Sequence, residues 1–342
     1  MRNAKSNDCY KLIILAFIFT VVLLFLSLEI PIILNTYLEP IFPDIHPVIE
    51  ADKVTDFINF MRPIGYICLF AILVLIIIGF LINKKKITTT SSFLLFLPTF
   101  GQFIQAMLFL AGIGILQVIW LPLWYPKLNF LDLGYIINIP FLFTDIMCLL
   151  IFPNHPFYLI IKYLIVFVGL FIFMYSILIW FHEKRREKEV FNVSIYKYSR
   201  HPQYLGFLIW SYGMHSLANY PLKALPMGAL WIDYSLPWLL SALIIISVAL
   251  IEEIDMKKKY SENYINYQKE TPFLFPLPKT IKSILMFPLR KVFKKNFPEN
   301  KKEVLFIVSF YGGILVLISF ITLAVNLDDL IIQLMIDIIY KF

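Results

Sequence analysis

FYLIIKYLIVFVGLFIFMYSILIWF, residues 157–181, decides the fold class. A helix needs about 20 predominantly apolar residues to cross roughly 30 Å of hydrocarbon. This run exceeds that requirement and ends at His182-Glu183-Lys184-Arg185-Arg186, a basic stop at the membrane surface. Comparable runs, or nearly so, lie at 11–34, 63–82, 93–120, 202–218, 236–251 and 304–325. The expected fold is therefore all-α, a polytopic transmembrane helical bundle.

Composition agrees. Of 342 residues, 60% are hydrophobic and 15% charged, with a mean hydropathy of +0.78. Water cannot solvate so much apolar surface on a soluble domain, whereas lipid solvates it readily. The run at 12–28 is too long for a signal-peptide core and lacks a small-residue cleavage site, so it reads as an uncleaved first span. Cys9, Cys68 and Cys148 lie far apart and form no CxxC pair, which points to neither a disulfide framework nor a zinc site.

Charge placement sets the topology. The net charge is +7, but the basic residues sit in short loops beside apolar runs, as the positive-inside rule describes. No nucleic-acid partner is expected. With the N-terminus inside, 24 of the 30 lysines and arginines fall on the inner side. That count requires the segment 131–152, which carries Pro140 and Asp145, to turn back without crossing. The reading is thus about seven spans, or eight if 131–152 crosses. The stretch 330–342 is too short for a confident span.

Polar and aromatic residues concentrate at 182–280. The first cluster is Tyr196-Lys-Tyr-Ser-Arg200-His201-Pro202-Gln-Tyr204-Leu-Gly206. Proline suits the first helical position, where a missing N–H costs nothing. A helix opened by Pro202 would point its amides at the basic interface, where Arg200 and His201 could join them in holding an anion. Gly206 would let a ligand or another helix approach closely. The second cluster is Glu252-Glu253, two carboxylates that repel each other unless a cation or donors stand between them. Glu253, Tyr260, Tyr264 and Tyr267 recur at helical spacing and are expected to share a face. Carboxylates and rings converging in this way suit a ligand with a cationic centre. Each cluster alone is also compatible with an ordinary membrane-interface anchor.

In this order and spacing, Arg200-His-Pro-x-Tyr-x-Gly, a short helical hairpin, Glu252-Glu253 and the tyrosine helix ending at Thr271-Pro272 and Pro276 resemble the isoprenylcysteine carboxyl methyltransferase family. That superfamily also holds phospholipid N-methyltransferases, and the likeness spans about 182–278. It implies S-adenosylmethionine bound at the cytosolic face, with a lipid-like or isoprenylated acceptor entering from the bilayer. By the resemblance, Tyr196, His201, Pro202, Tyr204 and Gly206 would line the cofactor pocket, beside Val190 and Phe191. Glu252 would hold polar groups of the cofactor, and Arg200 and Glu253 are the candidate catalytic residues. Carboxyl O-methylation is favoured, with N-methylation open, since an amine acceptor must first lose a proton. Two positions depart from the family pattern: Ser194 replaces a glycine, and Val248 replaces a substrate-facing arginine.

The chain then divides into an N-terminal transmembrane region at 1–156, a catalytic membrane region at 157–280, and a basic linker with a last helix at 281–342. The expected setting is a prokaryotic cell membrane, or the endoplasmic reticulum in a eukaryote, with a cytosolic active site. Asn154-His155-Pro156-Phe157-Tyr158 echoes the first cluster without its arginine or glycine, and His46-Pro47 does so more weakly. His182, His201 and His215 lack metal-ligand spacing, so no metal is expected. The rival enzyme class is the NADPH-dependent sterol and steroid reductases. Those typically carry Asn at the position of Gln203 and Glu at that of Phe207. A transporter or membrane scaffold is the non-enzyme alternative, for which Asp145 is the main intramembrane charge.

Overall fold

The computed structural model describes residues 2–38, 40–41, 51–99, 114–124, 129–152, 155, 157–186, 190–218 and 235–325. His46-Pro47, Asn154 and Pro156 of the motif echoes, 100–113 and 330–342 lie outside the described residues. The expectation of an all-α bundle holds, with no strand among the described residues. In chain order the helices are α1 (Arg2–Leu38), α2 (Ala51–Leu81), α3 (Lys85–Phe96), α4 (Ile139–Ile151), α5 (Phe157–Lys184), α6 (Pro202–Ala218), α7 (Ser235–Glu270), α8 (Lys279–Leu285), α9 (Phe287–Phe293) and α10 (Lys301–Ala324).

These segments are helical because hydrocarbon offers no partner for a free N–H or C=O. Their few small polar side chains satisfy themselves in the same way. Thr20 donates to the Ala16 carbonyl at 2.7 Å and Thr144 to the Pro140 carbonyl at 2.9 Å, the i−4 pattern open to hydroxyls in helices. The large apolar side chains exposed along α1, α2, α5 and α10, such as Phe17, Ile67, Ile160 and Phe320, are surfaces for acyl chains.

Among the described residues, six helical stretches are long and apolar enough to cross a membrane: Tyr10–Leu34, Thr55–Leu81, Phe130–Ile151, Phe157–Lys184, Ser235–Glu270 and Lys301–Ala324. Two details differ from the sequence expectation. The run at 93–120 is not one continuous helix, because α3 stops at Phe96 and a 3₁₀ segment occupies Gly114–Leu123. At 131–152, Pro140 sits in the first turn of α4 and interrupts nothing. A preceding 3₁₀ turn, Phe130–Asn138, carries the helical path onward. The expected run at 202–218 is realised as α6, whose 17 residues rise about 25 Å.

The chain forms two compact units, each assembled from separated stretches. The first comprises 1–24, 165–211 and 245–311, the second 25–164, 212–244 and 312–342. The three-part division read from the motifs follows chemistry along the sequence and does not coincide with these units.

In the first unit, Gly169 and Gly206 let two helices meet at backbone distance. A Cβ on Gly206 would lie 2.7 Å from Phe173 Cα, and one on Gly169 would lie 2.6 Å from Trp210 Cα. Small residues at such a crossing permit the close packing on which membrane helix association depends. The start of α10 carries its own cap: Glu303 N–H donates to Asn300 Oδ1 at 3.0 Å, while Asn300 Nδ2 donates to Glu303 Oε1 at 2.7 Å.

The second unit packs Ile58, Ile72, Ile76, Leu95, Trp120 and Leu131 into one core. Ser92 and Ser241 exchange hydrogen bonds, their hydroxyls 2.9 Å apart. His215 Nε2 lies 2.8 Å from Asn138 Oδ1. Asp145 is matched by a residue hidden in the apolar run that opened the sequence reading. Lys162 Nζ donates to its Oδ2 at 2.8 Å, with the two side chains 2% and 1% exposed. The main intramembrane charge of the transporter reading therefore has its own counter-charge, and Lys162 lies 5.0 Å from the Phe141 ring centroid.

Candidate functional site

The site lies in the first unit, where the start of α6 faces the middle of α7. Pro202 opens α6 as its spacing predicts, with His201 and Arg200 immediately before it. Their backbone amides do not face a ligand. Arg200 N–H donates to the Pro272 carbonyl at 3.0 Å and His201 N–H to the Phe273 carbonyl at 3.3 Å. The segment after α7 is thereby strapped across the start of α6.

Arg200 is committed within the protein as well. Its Nε donates to Glu253 Oε1 at 2.8 Å. Its Nη1 donates to the Gln268 carbonyl at 3.1 Å and to the Thr271 carbonyl. Glu253, 1% exposed, also accepts from His201 Nε2 at 2.9 Å, Tyr264 hydroxyl at 2.6 Å and Gln268 Nε2 at 2.7 Å. A buried carboxylate requires such a set of donors, since an unpaired charge there costs several kcal/mol. Arg200 and Glu253, the two residues expected to be catalytic, are thus the tie between the start of α6 and the middle of α7.

The open acid is Glu252, 30% exposed. Its Oε1 accepts from the Tyr204 hydroxyl at 2.8 Å, and its Oε2 stands 3.8 Å from His201 Nδ1. The His201 ring stacks on Tyr204 at 5.7 Å and meets Phe273 edge-on at 5.1 Å. Glu252 therefore forms the accessible polar edge, with Tyr204 and the buried His201 between it and the Arg200–Glu253 tie.

The tyrosine face is realised in part. A backbone break at Ser261, φ 42° and ψ −114°, divides α7 between Tyr260 and Glu262. Helical register across it is lost, so the shared face with Tyr260 does not form as expected. The contact at the Tyr260 ring is Lys259 Nζ, 4.9 Å from its centroid. Beyond the break, Tyr264 turns back to Glu253, and Tyr267 hydroxyl donates to the Tyr196 carbonyl at 2.6 Å.

Tyr196 sits in a 3₁₀ turn, Ser194–Lys197, ahead of α6. Its ring meets Phe191 edge-on at 5.9 Å, and its hydroxyl donates to the Ser176 carbonyl at 3.3 Å. Burial pushes the Tyr196 phenol up, reinforced by nearby Tyr267 and Glu252, so it remains a donor at physiological pH. Val190, half-buried, precedes Phe191. Gly206 packs on Phe173 of α5: of the two approaches its small size allows, the helix takes it.

The structure therefore brings together Tyr196, Arg200, His201, Tyr204, Glu252 and Glu253, as the two-cluster reading required. Sequence reasoning missed Gln268, the Thr271 carbonyl and Phe273. Gln268 directly follows Tyr267, but the break at Ser261 hides its direction from any count of helical spacing.

Chemically, the arrangement offers, among the described residues, the accessible carboxylate of Glu252, an imidazole and aromatic faces, with Arg200 neutralised in place. Such features define a polytopic helical integral membrane protein with a polar site at its helix ends. Residues 159–271, which contain this site, match the family described as "Protein of unknown function (DUF1295)". It is a family of membrane proteins related to steroid reductase- and methyltransferase-like enzymes. No curated protein and no solved structure matches the chain.

Proposed function

We propose that the protein is an S-adenosylmethionine-dependent methyltransferase acting on a membrane-embedded lipid or isoprenoid-type acceptor from the cytosolic face. The observation that carries this reading is the meeting of the α6 start with Glu252 and Glu253, through Tyr204–Glu252 at 2.8 Å and His201–Glu253 at 2.9 Å. The donor set fits the cofactor's chemistry. Tyr196, Phe191 and Tyr204 supply ring faces for a sulfonium, which aromatic quadrupoles attract. Glu252, half-open and only partly satisfied, suits the cofactor's ribose hydroxyls, which leave its charge in place. When bound, the cofactor supplies an electrophilic methyl group. The protein's own part is to hold the acceptor in line and exclude water, and alignment alone can remove several kcal/mol from such a barrier.

The test is binding of radiolabelled S-adenosylmethionine to purified protein. Wild type is expected to bind, and Tyr204→Ala and Glu252→Ala are each expected to weaken binding at least about tenfold, the loss of one charge-assisted hydrogen bond. Absence of wild-type binding, or unchanged binding by both variants, rejects the reading. NADPH-dependent double-bond reduction by the same preparation would replace it with the reductase class.

A further inference from the structure

His201, a buried residue, has one ring nitrogen held by a hydrogen bond and one outside hydrogen-bond reach of its neighbour. Its Nε2 lies 2.9 Å from Glu253 Oε1, an oxygen that also receives Arg200 Nε and the Tyr264 hydroxyl. An ionised carboxylate only accepts, so Nε2 carries the proton and donates it. In the neutral imidazole, Nδ1 is then a lone-pair acceptor. Its neighbour is Glu252 Oε2 at 3.8 Å, beyond hydrogen-bond reach. Tyr204 and Phe273 hold the ring from the side. A carboxylate that fixes the tautomer of a histidine and leaves the other nitrogen free is the arrangement of a general base.

Resting on the methyltransferase reading, we propose that His201 is a general base and that the acceptor is a lipid amine rather than a carboxylate. A carboxylate is ionised near neutral pH and needs no base. It would also meet Glu252, a like charge, while Arg200 is already committed to Glu253, Gln268 and Thr271. An alkylammonium has the opposite needs: it holds its proton to about pH 10 and cannot attack until it loses it. Glu252 attracts the cation beside His201, and Nδ1 takes one proton. The nitrogen lone pair then forms the C–N bond as the C–S bond of the donor breaks. A neutral thioether leaves, the methylated nitrogen carries the positive charge, and His201 passes its proton to water. Glu253 and Tyr264 act through His201 and are positioning residues.

Two measurements test this. Purified wild type is given methyl-labelled S-adenosylmethionine and vesicles containing equal amounts of a primary-amine phospholipid and a long-chain carboxylic acid, and the product is treated with alkali. Label that stays on the lipid as an alkali-stable methylamine supports the proposal. Label released as volatile methanol comes from an ester and overturns it, as does cofactor binding with no label in the amine lipid. Failure to bind the cofactor is a separate result, which removes the methyltransferase reading itself. The same assay on His201→Gln is expected to fall about 10²–10⁴-fold near neutral pH and to recover to within about tenfold of wild type near pH 10, where the amine loses its proton unaided. A uniform loss at all pH values assigns His201 a structural role and overturns the base assignment. The second measurement needs no turnover. In ¹⁵N-histidine-labelled protein, the His201 signals, identified by their absence in His201→Gln, are expected to show a protonated Nε2 and a bare Nδ1; the reverse tautomer overturns the proposal.

Discussion

Ser194 adopts φ 50°, the left-handed region that costs a side-chain-bearing residue roughly 1–2 kcal/mol. The methyltransferase family that this stretch resembles usually has glycine at this position, the residue such an angle favours. This chain offsets the strain through the serine hydroxyl, which lies 2.6 Å from the Tyr175 hydroxyl. The two effects separate by substitution. Ser194→Ala keeps the strain and loses the bond, so thermal melts in detergent should place it about 1 kcal/mol or more below wild type. Ser194→Gly loses both and should stay within about 1 kcal/mol of wild type. Alanine and glycine behaving alike would mean that the angle carries no strain.

Between α5 and α6 the controlling feature is a pair of glycines. The Cβ of a Gly206→Ala variant would land on Phe173 backbone, and overpacking of this kind costs about 1–3 kcal/mol. Gly313 in α10 is the internal control, with nothing within 4 Å of its missing Cβ; Gly313→Ala should gain up to about 1 kcal/mol from helix propensity. Melting both variants beside wild type checks the contrast, and equal effects would reject the crossing as a packing device. The legibility of the elements followed the same logic. Pro202 and Glu252-Glu253 mark their sites locally, because a proline start and a carboxylate pair need no knowledge of the fold. The direction of Tyr264 and Gln268 depends on one rare backbone angle at Ser261, which no helical periodicity encodes. The run 93–120 misled for a related reason: apolar composition reports burial or lipid, and not whether the backbone stays α-helical.

At the scale of the whole molecule, uncompensated charge decides what an apolar bundle tolerates. The Asp145–Lys162 pair, 2.8 Å apart and buried, was half-legible: aspartate stands out in an apolar run, whereas a lone lysine is easily read as snorkelling. Removing one partner leaves a buried charge, so Asp145→Ala is expected to cost about 3–5 kcal/mol. Replacing both with leucine removes the desolvation penalty with the attraction, and the double variant should return to within about 2 kcal/mol of wild type. Chemical denaturation of reconstituted protein distinguishes the two. A double variant as unstable as the single would show that the pair does more than neutralise itself. Each compact unit draws on separated parts of the chain, an arrangement that a division read along the sequence cannot express.

The tie between Arg200 and Glu253 joins positions 53 residues apart, and its remaining acceptors, Gln268 and Thr271, come later still. The carboxylate that holds the guanidinium is therefore made only after α6 and the first half of α7, so the tie closes last and at the cost of closing a long loop.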